Sequence, residues 1–266
     1  MQDTTSAASF LALALPWPTD HGPQFFVNIH RKRPVVIDGK VQTDAKGKTR
    51  WIFPGRATRS VSEAISFIQF TESKETADTY VCMSGQLPGK VKTNKRGQEY
   101  FGAARSIDGA VCMKGLWLDV DVKPNDPDHG YPSQEEAAAE FGRIRRAIGM
   151  PMPTVCVLSG SGGFHAHWSF EAAVEPAIWE PLAFALVAAF VEQGFKGDTG
   201  CTIDAARLLR VPGTWNHKQH DAGTGPKTPV RTLAQSGLTF PVTLIDHILA
   251  KWKGHTPHRA RKAFQL

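Results

Sequence analysis

The run Trp117-Leu118-Asp119-Val120-Asp121-Val122 restricts the fold more than any other stretch of this chain. It closes a strand pattern that spans Val111 to Val122. In a strand, alternate side chains point to opposite faces. Leu118, Val120 and Val122 then face a core, and Asp119 and Asp121 share the other side, their Cα atoms about 6.5–7 Å apart. Two carboxylates held that close repel each other. The arrangement is costly unless a cation sits between them, and oxygen donors on a rigid strand suit Mg²⁺ or Mn²⁺. An exposed edge strand with two solvated acids is the other arrangement that this pattern allows.

Around that strand, helix and strand patterns alternate. Residues 4–15 read as a short helix. Pro34 to Phe53 reads as strands joined by turns, with Asp38-Gly39 as a hairpin signal. Ser60 to Thr71 reads as a helix opened by a Ser60/Glu63 capping box, and Ser133 to Ile148 as another opened by Ser133/Glu136. Tyr80–Met83, Thr154–Leu158 and Phe164–Phe170 read as strands, and Ala177–Gln193 as an apolar helix bent near Pro181. Asp126 and Asp128 read as turn residues in a Pro-containing loop. The alternation predicts α+β or α/β packing in 266 residues, with no linker before about residue 250.

Two further segments carry chemistry. In Ser159-Gly160-Ser161-Gly162-Gly163-Phe164-His165-Ala166-His167-Trp168, a glycine turn lets backbone N–H groups and Ser hydroxyls approach phosphate oxygens. His165 and His167 share one face of the following strand, where a histidine can donate to phosphate. A plain glycine hairpin with two partly exposed histidines fits the same residues. In Asp204 to Lys218, one acid precedes Arg207, Arg210 and Lys218, the fork-shaped and point-charge donors that triphosphates need. A structural Asp–Arg pair at a strand end is the alternative.

Charge adds one point. The net charge is +6, from 31 Lys and Arg against 25 Asp and Glu. Lys251, Lys253, Arg259, Arg261 and Lys262 lie in the last segment, and without those five the balance is 26 to 25. Such a tail suits nucleic acid or an anionic surface, and a solvated terminus fits the same charges. Cys82, Cys112, Cys156 and Cys201 are far apart and form no zinc-type pair, so they read as small core residues. The N-terminus lacks a signal-peptide pattern, and the apolar run Pro181–Val191 is too short to span a bilayer, so the chain is expected to be soluble and cytoplasmic, with no membrane partner.

In order and spacing, Asp119/Asp121, His165 and Asp204 resemble the three motifs of the archaeo-eukaryotic primase superfamily, the primase–polymerases of plasmids and phages. The segment Ser159 to His165 resembles the S-G-x-x-G-x-H run of small primase subunits, and Arg207 to Lys218 resembles the stretch after the third motif in replication primases. Tyr80–Met83 and Arg105 resemble the strand and basic residue that precede the first motif. The resemblance covers residues 75–220. Ser161 and Gly162 stand where relatives carry basic residues, Gly163 stands in place of a serine, and no zinc-binding cluster is visible.

The resemblance implies an α+β fold: a primase–polymerase catalytic core with an RNA-recognition-like sheet packed against an N-terminal α/β module. It implies one catalytic domain over residues 1–250, with 251–266 a basic tail that leads toward a further domain in a longer chain. It implies template-dependent nucleotidyl transfer, with two divalent ions (Mg or Mn) held by Asp119, Asp121 and Asp204. Ser159, Ser161, Gly162, His165, Arg207, Arg210 and Lys218 would hold a nucleoside triphosphate. Arg105, Lys92, Lys95 and Arg96 would meet a single-stranded DNA template and primer. A helicase domain or protein is an expected partner, and the chain is expected to be a monomer. Two other readings remain: a replication-initiation endonuclease using His165-Ala166-His167, though Tyr80, Tyr100 and Tyr131 all precede those histidines, and a non-catalytic nucleic-acid-binding module.

Overall fold

The computed structural model describes residues 4–19, 24–73 and 78–254. Eight antiparallel strands form the main sheet: β1 (Phe26–Arg31), β2 (Gly55–Thr58), β3 (Thr79–Gln86), β4 (Ala110–Val120), β5 (Val155–Leu158), β6 (Phe164–Val174), β7 (Leu208–Arg210) and β8 (Arg231–Gln235). The order across the sheet is β8-β5-β6-β4-β3-β1-β2, and β7 pairs with β3 beside that path. The helices are α1 (Thr4–Ala14), α2 (Val61–Glu72), α3 (Gln134–Ala147), α4 (Pro176–Glu192), α5 (Thr199–Ile203) and α6 (Val242–Leu249). The architecture is therefore α+β around a large antiparallel sheet.

Local signals place the helices. The Ser60 hydroxyl accepts from the Glu63 amide at 3.2 Å, and the Glu63 carboxylate accepts from the Arg59 amide at 2.8 Å, closing a capping box at α2. Ser133 does the same for α3, accepting from the Glu136 amide at 3.1 Å. Helix α4 continues through Pro181, and Trp179, Leu182, Leu186 and Phe190 on it are buried in the core. Val36–Ile37 and Lys40–Val41 form a hairpin across Asp38 and Gly39, both at positive φ, as a tight two-residue turn requires.

One sheet face packs on α3 and α4. Phe141 of α3 meets Phe164 edge-on at 5.4 Å and stacks near Phe190 of α4, with Trp168 beside them. Such pairs contribute about 0.5–1.5 kcal/mol each beyond the area they bury. Helix α1 lies against β6, where Phe10 meets the His167 ring edge-on at 5.2 Å. His165 and His167 are therefore buried, at 4% and 2% exposure, rather than partly exposed as the hairpin alternative had them.

The cysteines fit the core reading: Cys82, Cys156 and Cys201 are buried free thiols, and Cys112 is partly so. Among the described residues no helix is long and apolar enough to cross a membrane. Two tail cations are already paired, Lys251 with Glu192 at 3.1 Å and Lys253 with Asp246. Arg259, Arg261 and Lys262 lie outside the described residues.

Burial holds the His167 imidazole neutral, lowering its pKa to about 3 from the ordinary 6.5. The unfolded chain takes up that proton near pH 6.5 and the folded chain does not. Stability therefore falls as pH drops below 6.5, by about 1.4 kcal/mol per pH unit for this group. Urea denaturation at pH 7 and pH 5 should show His167→Gln losing about 2 kcal/mol less than wild type over that interval. Equal losses would show that His167 is not held neutral.

Candidate active site

The site is built where the sheet forks. Along one edge of β3, Gln86, Gly85 and Ser84 pair with Ala110, Cys112 and Met113 of β4. Further along the same edge, Cys82, Val81 and Tyr80 pair with Leu208, Leu209 and Arg210 of β7. Strand β4 thus parts from β3 after Met113, and β7 takes its place. Helix α5 and the loop after it fill the wedge and are tied to both arms. The Asp198 amide donates to the Asp119 carbonyl at 3.1 Å. The Trp117 indole donates to the Cys201 carbonyl at 2.8 Å, and the Ser84 hydroxyl to the Ala205 carbonyl at 2.6 Å. Gly197 permits this approach, since a Cβ there would lie 2.3 Å from the Asp119 carbonyl oxygen and 2.3 Å from the Phe195 ring.

Three carboxylates lie near the mouth of the fork, close enough that Asp121 and Asp198 act on Asp119. Asp119, next to last in β4, lies opposite His165 of β6, with Oδ1 3.6 Å from His165 Nε2 and Oδ2 3.7 Å from Arg207 Nη2. Burial, then repulsion from Asp121 and Asp198, raises its pKa to about 7, against the pull of Arg207. Asp121 lies just past the strand, with Lys123 Nζ at 2.9 Å, and that contact raises the Lys123 pKa. Asp198 caps α5 through the Cys201 amide and accepts from Arg207 Nη2 at 3.1 Å. Asp121 and Asp198 line a cleft of about 330 Å³ together with Lys123, His129, Lys196 and Thr199.

Asp204 stands one step away from this trio. Its Oδ1 accepts from the Ala206 amide at 2.9 Å, and its Oδ2 is 3.8 Å from Arg105 Nη2. Arg105 also donates to the Ala206 carbonyl at 2.7 Å, so it sits beside this acid. Among the described residues, no group of three or more His, Cys, Asp or Glu side chains converges to hold a metal ion. Each carboxylate of the trio is turned toward a protein cation instead: Lys123 for Asp121, and Arg207 for Asp119 and Asp198.

The glycine turn lies directly against the end of β4. A Cβ on Gly163 would come 2.5 Å from the Val120 carbonyl oxygen, so only glycine fits there. The Ser159 hydroxyl donates to the Gly163 carbonyl at 2.9 Å and contacts the Ser161 hydroxyl at 3.0 Å, and Gly162 packs beside Val122. Asn216 then joins the turn to the basic arm. Its amide donates to the Ser159 carbonyl at 2.7 Å, while its oxygen accepts from Arg210 at 3.1 Å and from the Lys218 amide at 2.9 Å.

Arg210 is anchored from behind by Asp78, whose side chain is 1% exposed. Asp78 accepts from Arg210 at 3.0 Å, from the Tyr80 hydroxyl at 2.9 Å, and from the His217 amide at 2.6 Å, with His217 Nδ1 at 3.1 Å. Burial works to raise the Asp78 pKa, yet His217, Arg210 and Tyr80 hold it well below the usual carboxylate range. Lys218 starts an exposed helical turn, Lys218–Asp221. Lys92, Lys95 and Arg96 are exposed on the hairpin formed by Val91–Thr93 and Glu99–Phe101, at the other end of the sheet from β5 and β8. Asp198, Asp78 and Asn216 were not singled out in the sequence. Asp198 carried one signal, a helix-capping acid after glycine; Asp78 and Asn216 carried none, because their partners are distant in the chain.

No family model and no curated protein matches the chain. Solved structures do. The AEP domain of the cyanophage S-2L primase-polymerase superposes with a TM-score of 0.55 at 14% identity, over 93% of this chain and 98% of that one. A structure of primase RepB' aligns with a TM-score of 0.48 at 12% identity, over 98% of this chain and 64% of that one. The catalytic domain of RepB' in complex with initiator DNA aligns at 0.45 and 12%, over 91% and 90%. The fold is that of an AEP-domain primase–polymerase.

Asp78→Ala leaves the Arg210 guanidinium and the His217 ring without their buried partner. Removing one member of such a pair costs about 3–5 kcal/mol. Denaturant unfolding should show that loss, whereas a change below about 1 kcal/mol, the range of an exposed pair, would show that the network does not anchor the arm.

Proposed function

We propose that this chain is a template-dependent nucleotidyltransferase, a DNA primase–polymerase that joins nucleoside triphosphates along a single-stranded DNA template. One observation carries the reading. Asp119, Asp121 and Asp198 are gathered at the fork although they repel one another, beside an open cleft that Lys123 and Lys196 also line. The shared fold supports it.

The trio offers only oxygen donors, which fits Mg²⁺ or Mn²⁺. Ions held there supply an acidified 3′-hydroxyl and a clamp on the triphosphate and its leaving pyrophosphate. In this reading Asp198 takes the third acidic place, and Asp204 holds Arg105 at the rim. Lys123 and Arg207, paired with the acids here, would be free to hold the phosphates if divalent ions took up those carboxylates. His165 is buried, and burial and its cationic neighbours push its pKa well below the ordinary value, so it is a neutral single N–H donor beside Asp119. Arg210, fixed by Asp78 and Asn216, presents its charge without searching for a rotamer, which is how a site stabilises charge without reorganising. The glycine turn offers Ser159, Ser161 and the Gly162 amide, and Lys218 adds a point charge.

We further read residues 1–250 as one catalytic domain, an RNA-recognition-like sheet joined to an N-terminal α/β module. We read 251–266 as a basic tail toward a helicase domain or partner. Arg105, Lys92, Lys95 and Arg96 remain the proposed contacts to template and primer.

Primer extension on a single-stranded template with Mn²⁺ or Mg²⁺ tests the proposal. Asp119→Asn, Asp121→Asn and Asp198→Asn should each lose about 100-fold or more, and Asp204→Asn less than about tenfold. No incorporation by wild type, or full activity in Asp119→Asn, would refute it. Loss in Asp204→Asn with activity kept in Asp198→Asn would return the third place to Asp204.

A further inference from the structure

A second charged cleft, of about 700 Å³, opens near the β2 edge of the sheet, away from the acids. It lies between the end of β1, strand β2, helix α2 and the Val91–Thr93/Glu99–Phe101 hairpin. Arg31, Arg33, Arg56 and Lys92 line it, and Glu99 is its one acidic residue. Among the described residues none of those four cations makes a side-chain hydrogen bond or an ion pair. Aromatic faces accompany them. Phe67 and Phe70 of α2 lie nearly parallel at 6.3 Å, Phe70 is half exposed, and Tyr100 comes from the hairpin.

Four cations in one concavity, with no counter-ion among the described residues, repel one another, and burial together with Arg33 already lowers the Arg31 pKa. Such a grouping makes the concavity a region of positive potential that attracts an anion. The aromatic faces narrow the anion to one that carries flat rings. The cations form a row rather than a cluster: Arg31 and Arg33 sit two residues apart in extended chain, Arg56 is on the neighbouring strand, and Lys92, Lys95 and Arg96 run out along the hairpin. A row of cations flanked by rings matches successive phosphates and stacked bases of one strand better than the compact charge of a mononucleotide.

We infer that the cleft bounded by Arg31, Arg33, Arg56, Lys92, Phe70 and Tyr100 is a holding site for single-stranded nucleic acid, separate from the acidic fork. Strands β1 and β3 separate it from β4, so it needs neither divalent ions nor the carboxylates. It grips the strand outside the reacting site and so keeps the chain on its template between additions. The inference deepens the polymerase reading, whose proposed template contacts Lys92, Lys95 and Arg96 lie on this hairpin, and its role on a template rests on that reading.

Fluorescence anisotropy of the full chain with a labelled oligothymidylate of about 16 nucleotides, in EDTA, tests it. Arg31→Gln/Arg33→Gln/Arg56→Gln should weaken binding at least tenfold and flatten the log–log salt slope by about 2. Lys92→Glu, on an exposed hairpin, should weaken binding with no burden on folding, and Phe70→Ala with Tyr100→Ala should cost about tenfold through lost stacking. Asp119→Asn should bind as wild type does, so failure here is distinct from failure of catalysis. Unchanged affinity in the triple and Lys92→Glu variants would overturn the inference. So would ATP in EDTA competing as well as an equal concentration of oligonucleotide, which would make the cleft a mononucleotide site.

Discussion

Two strands compete for one edge of β3, and the geometry of the site follows from how that competition is resolved. Strand β4 holds the edge as far as Met113, and β7 holds it from Cys82 onward. Neither can displace the other, so the sheet opens, and the backbone edge that β4 leaves bare is met by Asp198 rather than by water. A bare edge would strand hydrogen-bonding groups, so the wedge must be filled. Filling it with α5 brings a capping acid beside Asp119 of β4 and Asp121 just past it. The glycine turn on the other flank can close only because Gly163 lets the chain touch the Val120 carbonyl.

That packing sets up an electrostatic conflict which the molecule contains locally. Asp119 carries the burden, its carboxyl raised to about 7 by burial and by its acidic neighbours. Arg207 and Lys123 offset part of it. Further back, the buried Asp78 holds Arg210 and His217, so the basic arm is anchored by buried bonds whereas the acids of the mouth pair with partly exposed cations. An anchored cationic arm beside an anionic mouth suits a reaction in which the protein positions charge and performs little covalent chemistry itself.

The sequence revealed what is encoded locally. Capping boxes at Ser60 and Ser133, the Asp38-Gly39 turn, the alternating β4 pattern and the glycine turn depend on neighbours a few residues apart, and each was readable before any coordinates. Family resemblance supplied the ordered acids and the basic run. It did not reveal Asp198, whose amide is tied to the Asp119 carbonyl, because that contact joins residues nearly 80 positions apart. The burial of His165 and His167 was illegible for a related reason: α1, more than 150 residues earlier in the chain, covers β6 there. Asp78 gave no pattern at all, since its partners are gathered from Tyr80, Arg210 and His217.

The central claim is that the fork is a cation site made by Asp119, Asp121 and Asp198. Anomalous diffraction from crystals grown with Mn²⁺ and a non-hydrolysable nucleoside triphosphate measures it most directly. The account predicts Mn²⁺ bonded to Asp119 and Asp121 with Asp198 beside it, the phosphates against Arg207 and Lys123. Manganese bound elsewhere, with Asp121 still on Lys123 and Asp119 still on Arg207, would contradict it.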